Sequence, residues 1–487
     1  MPFTPLSLNE CTLVDQDSLD IRAMLKSRSL LRGDITYDTA KERDANILHE
    51  LGYRDQMIRF FTYLYRNREL IKLFIISHLG LAPRQLHHPI DVGNWVHGSF
   101  NVCIRTDIVD STEVVERQMI ICFPLLYRIE DNPCSGNSDE KVRWEAGTYT
   151  WLKESCLTVP ILRLHGFFFE FNSLPFLFCN IQFLHRVLLE IFGYQIRLFY
   201  TENSSTNHTI FEEPYIIIEY ISQLYSNILS TIWWVGGDTQ IRIYIPICFG
   251  IFFIPQFRIE SSAIDNSGFL KSINRSLTME IQQLENQKIP LNIDRETIYT
   301  DVESFIYEAL STFLSYLVFL TGSFSEDLPF SILQISNNIF VDNNWNIVQV
   351  IDLEWTCPSL AEIIHPPYWL TNQAIDIIDS NENESLHTEF MSIFVEGQKY
   401  FESVNLYSTM EKGIKKNTFW YLLALSSVSA LSTNFYDHIP SKFATGHEIP
   451  EFWSITMPYC FLNTASLIEQ KVKDKERYDA SLQEFRY

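Results

Sequence analysis

Cysteines at paired spacing are the first thing missing from this 487-residue chain. Its nine cysteines contain no C-x-x-C spacing, which excludes the common zinc and dithiol-redox motifs. An odd total also argues against a full disulfide framework. Positive charge is scarce. With 37 basic against 60 acidic residues the net charge is −23, the wrong sign for holding a phosphate backbone, so no nucleic-acid partner is expected. No apolar run is long enough to cross a bilayer: the most apolar stretch, residues 243–255, is too short and contains two prolines. Residues 1–5 show no basic segment leading into an apolar core, so no secretory leader is read and a cytoplasmic protein without membrane attachment is expected. The sequons at Asn203 and Asn207 then carry no meaning. Internal repeats and low-complexity tracts are absent as well.

What the chain does have is apolar mass. It is 46% hydrophobic and 14% aromatic, enough to build large cores, which excludes wholesale disorder. The length suits two or three domains, or one two-lobed enzyme core with extensions. The acidic surface would suit a cationic substrate, and equally serves solubility alone.

Residues 15–87 carry apolar side chains at helical spacing, and Gly80 and Pro83 close that region. Residues 96–123 change to a period of two, with turn residues at Asp110-Ser111-Thr112. A helix is expected over about 139–155, capped by Asn137 or Ser138. Its wheel puts Val142, Ala146, Tyr149 and Leu152 on one face, with Glu145 inside that apolar sector. A strand follows at 215–220, and the chain after about 222 reads as mostly helical. The last residues, 467–487, read as an amphipathic helix with a solvated charged face.

One exception interrupts the helical half. Asn338-Ile339-Phe340-Val341-Asp342, a polar turn, and Ile351-Asp352-Leu353-Glu354-Trp355 read as a hairpin that brings Asn338 and Asp352 to one mouth. A carboxamide beside a carboxylate is an oxygen-ligand pair suited to magnesium. Hairpin-end capping would explain the same two residues.

Taken in order, these segments resemble the fungal aminoglycoside-phosphotransferase-like family, distant relatives of choline and protein kinases. The resemblance is carried by Trp95-Val96-His97-Gly98-Ser99-Phe100-Asn101-Val102, by residues 139–149, 159–164, 215–220 and 278–285, by the hairpin, and by residues 365–371. It implies an α+β, two-lobed protein-kinase-like fold: a small β-rich N-lobe with one helix and a large, mainly helical C-lobe. The expected divisions are an N-terminal helical extension (1–87), the N-lobe (88–222), and the C-lobe (223–487) with its metal-site hairpin at 338–355. The implied ligands are ATP and Mg2+. Gly98 and Ser99 would form the turn covering the phosphates, and Glu145 would orient a phosphate-binding cation. Glu219 to Ile221 would be the hinge for adenine, and Asn338 and Asp352 would hold metal. Residues 365–369 are expected to pack and turn, with no part in chemistry.

Two departures from that family pattern strike the machinery. Cys122 stands where relatives carry a basic residue before Phe123-Pro124, and a cysteine supplies no positive charge to phosphates. That leaves Glu145 in need of another cation, with Arg105 or Arg143 as candidates. Leu333 stands where the resemblance places the proton-accepting aspartate, and Glu326 and Asp327 are the nearest acids in sequence. Losing a general base removes about 10²–10⁴-fold in rate. Residues 232–256 are also unusually apolar, as a fully buried helix or strand, or translated non-coding sequence, would be. The implied protein is therefore an ATP-dependent phosphotransferase of a small-molecule acceptor, catalytically impaired. The alternative is a non-catalytic pseudokinase serving as a nucleotide-sensing module or as a scaffold for a protein partner. No residue identifies the acceptor.

Overall fold

The computed structural model describes residues 27–31, 33–43, 46–82, 85–87, 92–98, 100–109, 114–129, 136–155, 159–169, 176–178, 200–202, 213–220, 227–228, 261–264, 270–273, 304, 306, 339–342, 347–351, 353, 365–366, 368–371, 373, 377–398, 406–416, 418–424, 433–434, 437–440 and 464–484. Through these the chain is α+β with antiparallel sheets. Among the described residues no helix is long and apolar enough to cross a membrane.

The first described elements are a short hairpin, β1 (Ser27–Ser29) and β2 (Asp34–Thr36), and helices α1 (Tyr37–Glu42), α2 (Ile47–Arg66) and α3 (Arg68–Leu79). The helical reading of 15–87 thus needs correcting at β1 and β2, where the short segment around Gly33 turns back on itself in a left-handed conformation (φ 76°). Thr36 caps α1 by accepting from the Thr39 amide, and Asn46 caps α2 by accepting from His49 at 3.2 Å.

Next come β3 (Leu86–His87), β4 (Trp95–His97), β5 (Asn101–Val109), β6 (Val115–Pro124) and helix α4 (Asn137–Ser155). They are followed by β7 (Leu164–Phe168), β8 (Phe176–Phe178), β9 (Tyr200–Glu202) and β10 (Tyr215–Glu219). One sheet of eight strands runs β3-β5-β6-β10-β7-β8-β9, with β4 also paired to β5. Because β3 pairs with β5 at Leu86 and His87, this sheet begins before residue 88.

Alternation along the strands sorts side chains onto two covered faces. Val102, Ile104, Ile121, Phe123, Tyr215 and Ile217 pack against Phe61, Leu64, Ile71 and Ile75 of α2 and α3. Cys122, Ile216 and Ile218, one residue out of phase, pack against Val142, Ala146 and Tyr149 of α4. A sheet covered on both sides needs apolar residues at consecutive positions, which explains the unbroken runs at 120–123 and 215–218. The N-terminal helices are therefore one layer of this unit. His78 of α3 ties into it through its Nε2, 2.9 Å from the Tyr215 hydroxyl.

The later elements are β11 (Asn227–Ile228), the hairpin β12 (Ser261–Ile264) and β13 (Leu270–Ile273), and the strands β14 (Ile339–Val341) and β15 (Ile347–Val350). Helices α5 (Ser380–Gln398), α6 (Leu406–Lys415), α7 (Thr418–Ala424) and α8 (Thr464–Glu484) complete the described chain. Strands β11, β12 and β13 were not expected in a mostly helical half. A hairpin within 338–355 was expected and is present, with its second strand at Ile347–Val350 and not at 351–355: β14 and β15 pair antiparallel, with Ile339 opposite Val350 and Phe340 opposite Gln349. Of the packing and turn element expected at 365–369, the described residues show a 3-10 turn at Tyr368–Thr371, whose Tyr368 packs with Phe419 and Leu423.

Candidate functional site

The turn between β4 and β5 is closed by the Gly98 amide, which donates to the Asn101 carbonyl at 2.9 Å. Gly98 is exposed, and a Cβ built on it meets nothing within 4 Å. The fold itself does not demand glycine there. Ser99 lies outside the described residues.

Helix α4 meets the start of β5 through Lys141 and Asn101. It starts at Asn137, whose carboxamide nitrogen donates to the Ile129 carbonyl at 2.8 Å and so fastens the helix to the turn that follows β6. Glu145 is 4% exposed, buried as its place on the wheel requires. Each of the two arginines proposed from the sequence has a contact elsewhere. Arg105 pairs with Asp107 at 3.4 Å and lies over the Tyr220 ring, while Arg143 lies over Phe169. The ammonium of Lys141, one turn earlier on the same helix, stands 3.9 Å from Glu145 Oε2 and donates to Asn101 Oδ1 at 2.7 Å. Lys141 is itself 2% exposed. The sequence signal was present: Lys and Glu at i,i+4 on one helix face. Removing one partner of such a buried pair strands the other charge, at a cost of about 3–5 kcal/mol.

Position 122 holds a second surprise. Cys122 on β6 faces Cys103 on β5, and the two form a disulfide. The absence of paired cysteine spacing gave no hint of it, because their separation of 19 residues is set by strand register alone. Asn101 and Cys103 are two apart on β5, so they share the face turned to α4. Lys141 therefore delivers its ammonium one pleat from the bonded cysteines.

Glu219 ends β10. Its amide donates to the Arg163 carbonyl at 3.2 Å and the next amide, of Tyr220, donates to Gln118 at 2.9 Å. Both are therefore engaged within the sheet. The Glu219 carboxylate is partly exposed and faces His165 Nε2 at 3.5 Å; this contact, ahead of the opposing effect of burial, holds its pKa below the ordinary value. Ile221 lies outside the described residues.

So do Asn338, Asp352, Leu333, Glu326 and Asp327, and the segments 232–256 and 278–285. The hairpin that carries the first two is nevertheless anchored. The Val350 amide donates to the Pro160 carbonyl at 2.9 Å, and Ile161 bridges to Val350 in parallel. Val350 and Leu353 are 3% and 2% exposed and join the cluster built on Cys122, Val142, Ala146, Ile216 and Ile218. Ile351 packs against the same cluster. The strand end that leads into Asp352 is thereby pinned to the face of the sheet covered by α4, the helix that bears Glu145. Among the described residues no group of three or more His, Cys, Asp or Glu side chains could hold a metal ion.

No protein-family model, no curated protein and no solved structure matches this chain.

Proposed function

We propose that this chain is a two-lobed, kinase-like phosphotransferase relative that binds Mg-ATP and transfers phosphate poorly or not at all. One observation carries the reading: a single apolar cluster joins the sheet, the helix bearing Glu145, and the end of the β14–β15 hairpin. In a kinase-like site those three parts must converge, because the helix carboxylate, the phosphates and the metal ligands meet at one cleft. The open space over Gly98 suits close approach of a phosphate to the turn. Magnesium would be held by Asn338 and Asp352, and adenine by backbone groups beyond Glu219. Bound magnesium would neutralise phosphate charge.

The impairment rests on sequence. Leu333 has no proton-accepting group, so an acceptor hydroxyl has no base in the expected place. A nucleotide-sensing role or a docking role for a protein partner fits that loss better than turnover of a small molecule does.

The test is thermal-shift titration with ATP and magnesium, run beside a phosphate-release assay. Stabilisation that saturates with ATP, is lost in Asp352→Ala, and comes without phosphate release is the expected result. Rapid release would overturn the impaired reading. The absence of any ATP-dependent shift would overturn nucleotide binding.

A further inference from the structure

We infer that Lys141, from helix α4, is the cation that receives the nucleotide phosphates in this chain, in place of a basic residue on strand β6. The inference rests on the nucleotide-binding reading above and deepens it.

Three placements support it. The first is charge: Lys141 Nζ lies 3.9 Å from Glu145, the buried carboxylate expected to orient such a cation. The second is position: Nζ donates at 2.7 Å to the side chain of Asn101, whose own carbonyl closes the Gly98 turn. The ammonium therefore sits at the foot of the turn under which phosphates would lie. The third is exclusion. Position 122 is spent in a disulfide with Cys103, and Arg105 and Arg143 are turned onto Tyr220 and Phe169.

An ammonium has three donors. A phosphate oxygen entering beneath the turn would compete with the Asn101 carboxamide for one of them, while Glu145 keeps the amine charged and aimed. The exchange substitutes an anionic acceptor for a neutral one, which is the stronger hydrogen bond. Glu145 acts here as a positioning residue through Lys141.

The experiment compares adenosine with Mg-ATP and with inorganic tripolyphosphate, by calorimetry on the full chain. The variants are Lys141→Arg, Lys141→Met and the neutral double variant Lys141→Met/Glu145→Gln. The double variant avoids stranding a buried carboxylate, and circular dichroism checks its fold. In the double variant, affinity for Mg-ATP and tripolyphosphate should fall about tenfold or more, as for loss of one charge-assisted hydrogen bond, while adenosine affinity stays unchanged. Lys141→Arg should recover part of the loss. A folded double variant that binds Mg-ATP like the wild type would overturn the inference and leave nucleotide binding standing. A wild-type chain that binds neither adenosine nor Mg-ATP would overturn both.

Discussion

Cys103 and Cys122 stand directly opposite one another on β5 and β6, Cα atoms 4.0 Å apart, and their sulfurs are bonded. That makes a covalent tie across a strand pair already joined by backbone hydrogen bonds. It also removes from position 122 both charge and reactivity.

The tie should contribute to stability by closing the loop between the two strands in the unfolded chain, at about 3 kcal/mol for a loop of this size. Reduction with a phosphine should therefore lower the melting temperature by a few degrees. The double variant Cys103→Ala/Cys122→Ala should start low and be insensitive to reductant. If the wild type melts identically before and after reduction, with alkylation and mass measurement showing that both thiols were released, the tie contributes nothing. The bond also bears on the cytoplasmic expectation, since a reducing compartment keeps such a pair as two thiols.

A second prediction concerns acid. His387 of α5 is buried against Phe419 of α7, ring centroids 4.6 Å apart and nearly perpendicular. Burial, with a smaller contribution from the neighbouring His365, pushes its pKa down to about 3. His365 is likewise pushed down, by burial. In the unfolded chain both return to the ordinary imidazole value of 6.5. Protons then bind the unfolded state preferentially, so their contribution to stability is complete above that value and falls away as pH drops towards 3. For His387 alone the loss should reach about 2 kcal/mol by pH 5. Urea unfolding at pH 7 and pH 5 measures it, and His387→Gln should flatten the difference. An unchanged pH dependence in that variant would contradict the assignment.

Much of this architecture was readable from the residues, for reasons that differ by element. The β14–β15 hairpin was legible because two apolar runs flank a polar turn, and local pattern sufficed. Helix α4 was legible as an amphipathic face with one carboxylate in it, and Glu145 is buried as that pattern required. Lys141 was hidden because a lysine on a helix reads by default as a solvated side chain, although the i,i+4 spacing marked it. The disulfide follows from strand register, since Cys103 and Cys122 flank the β5–β6 turn at matching distances, and no sequence motif encodes register. The layering of α2 and α3 on the sheet was hidden for a related reason. Their apolar stripes announced a partner without naming it, and the continuous apolar strands announced two covered faces. Only putting those signals together would have joined them.

The far ends of the described chain provide the last prediction. Tyr478 of α8 is buried with Leu482 against Leu30, Ile35, Ala40 and Ile47. Its hydroxyl accepts a hydrogen bond from the Ile47 amide at 3.1 Å. Ile47 is the first residue of α2, where backbone amides lack a partner within the helix, so a residue distant in sequence supplies part of the cap. Removing the hydroxyl in Tyr478→Phe keeps the ring and its packing but leaves that buried amide unsatisfied, which should cost about 1–2 kcal/mol. Burial, opposed by the Ile47 hydrogen bond and aided by the charges of Asp479 and Glu50, raises the pKa of the phenol above its ordinary value of 10.0. Ionisation then favours the unfolded chain, so the contribution is intact below that value and lost as pH rises beyond it. Chemical unfolding at pH 8 should show the deficit in Tyr478→Phe, and the gap to wild type should narrow at strongly alkaline pH. A variant as stable as wild type at pH 8 would mean that the C-terminal helix supports α2 through apolar packing alone.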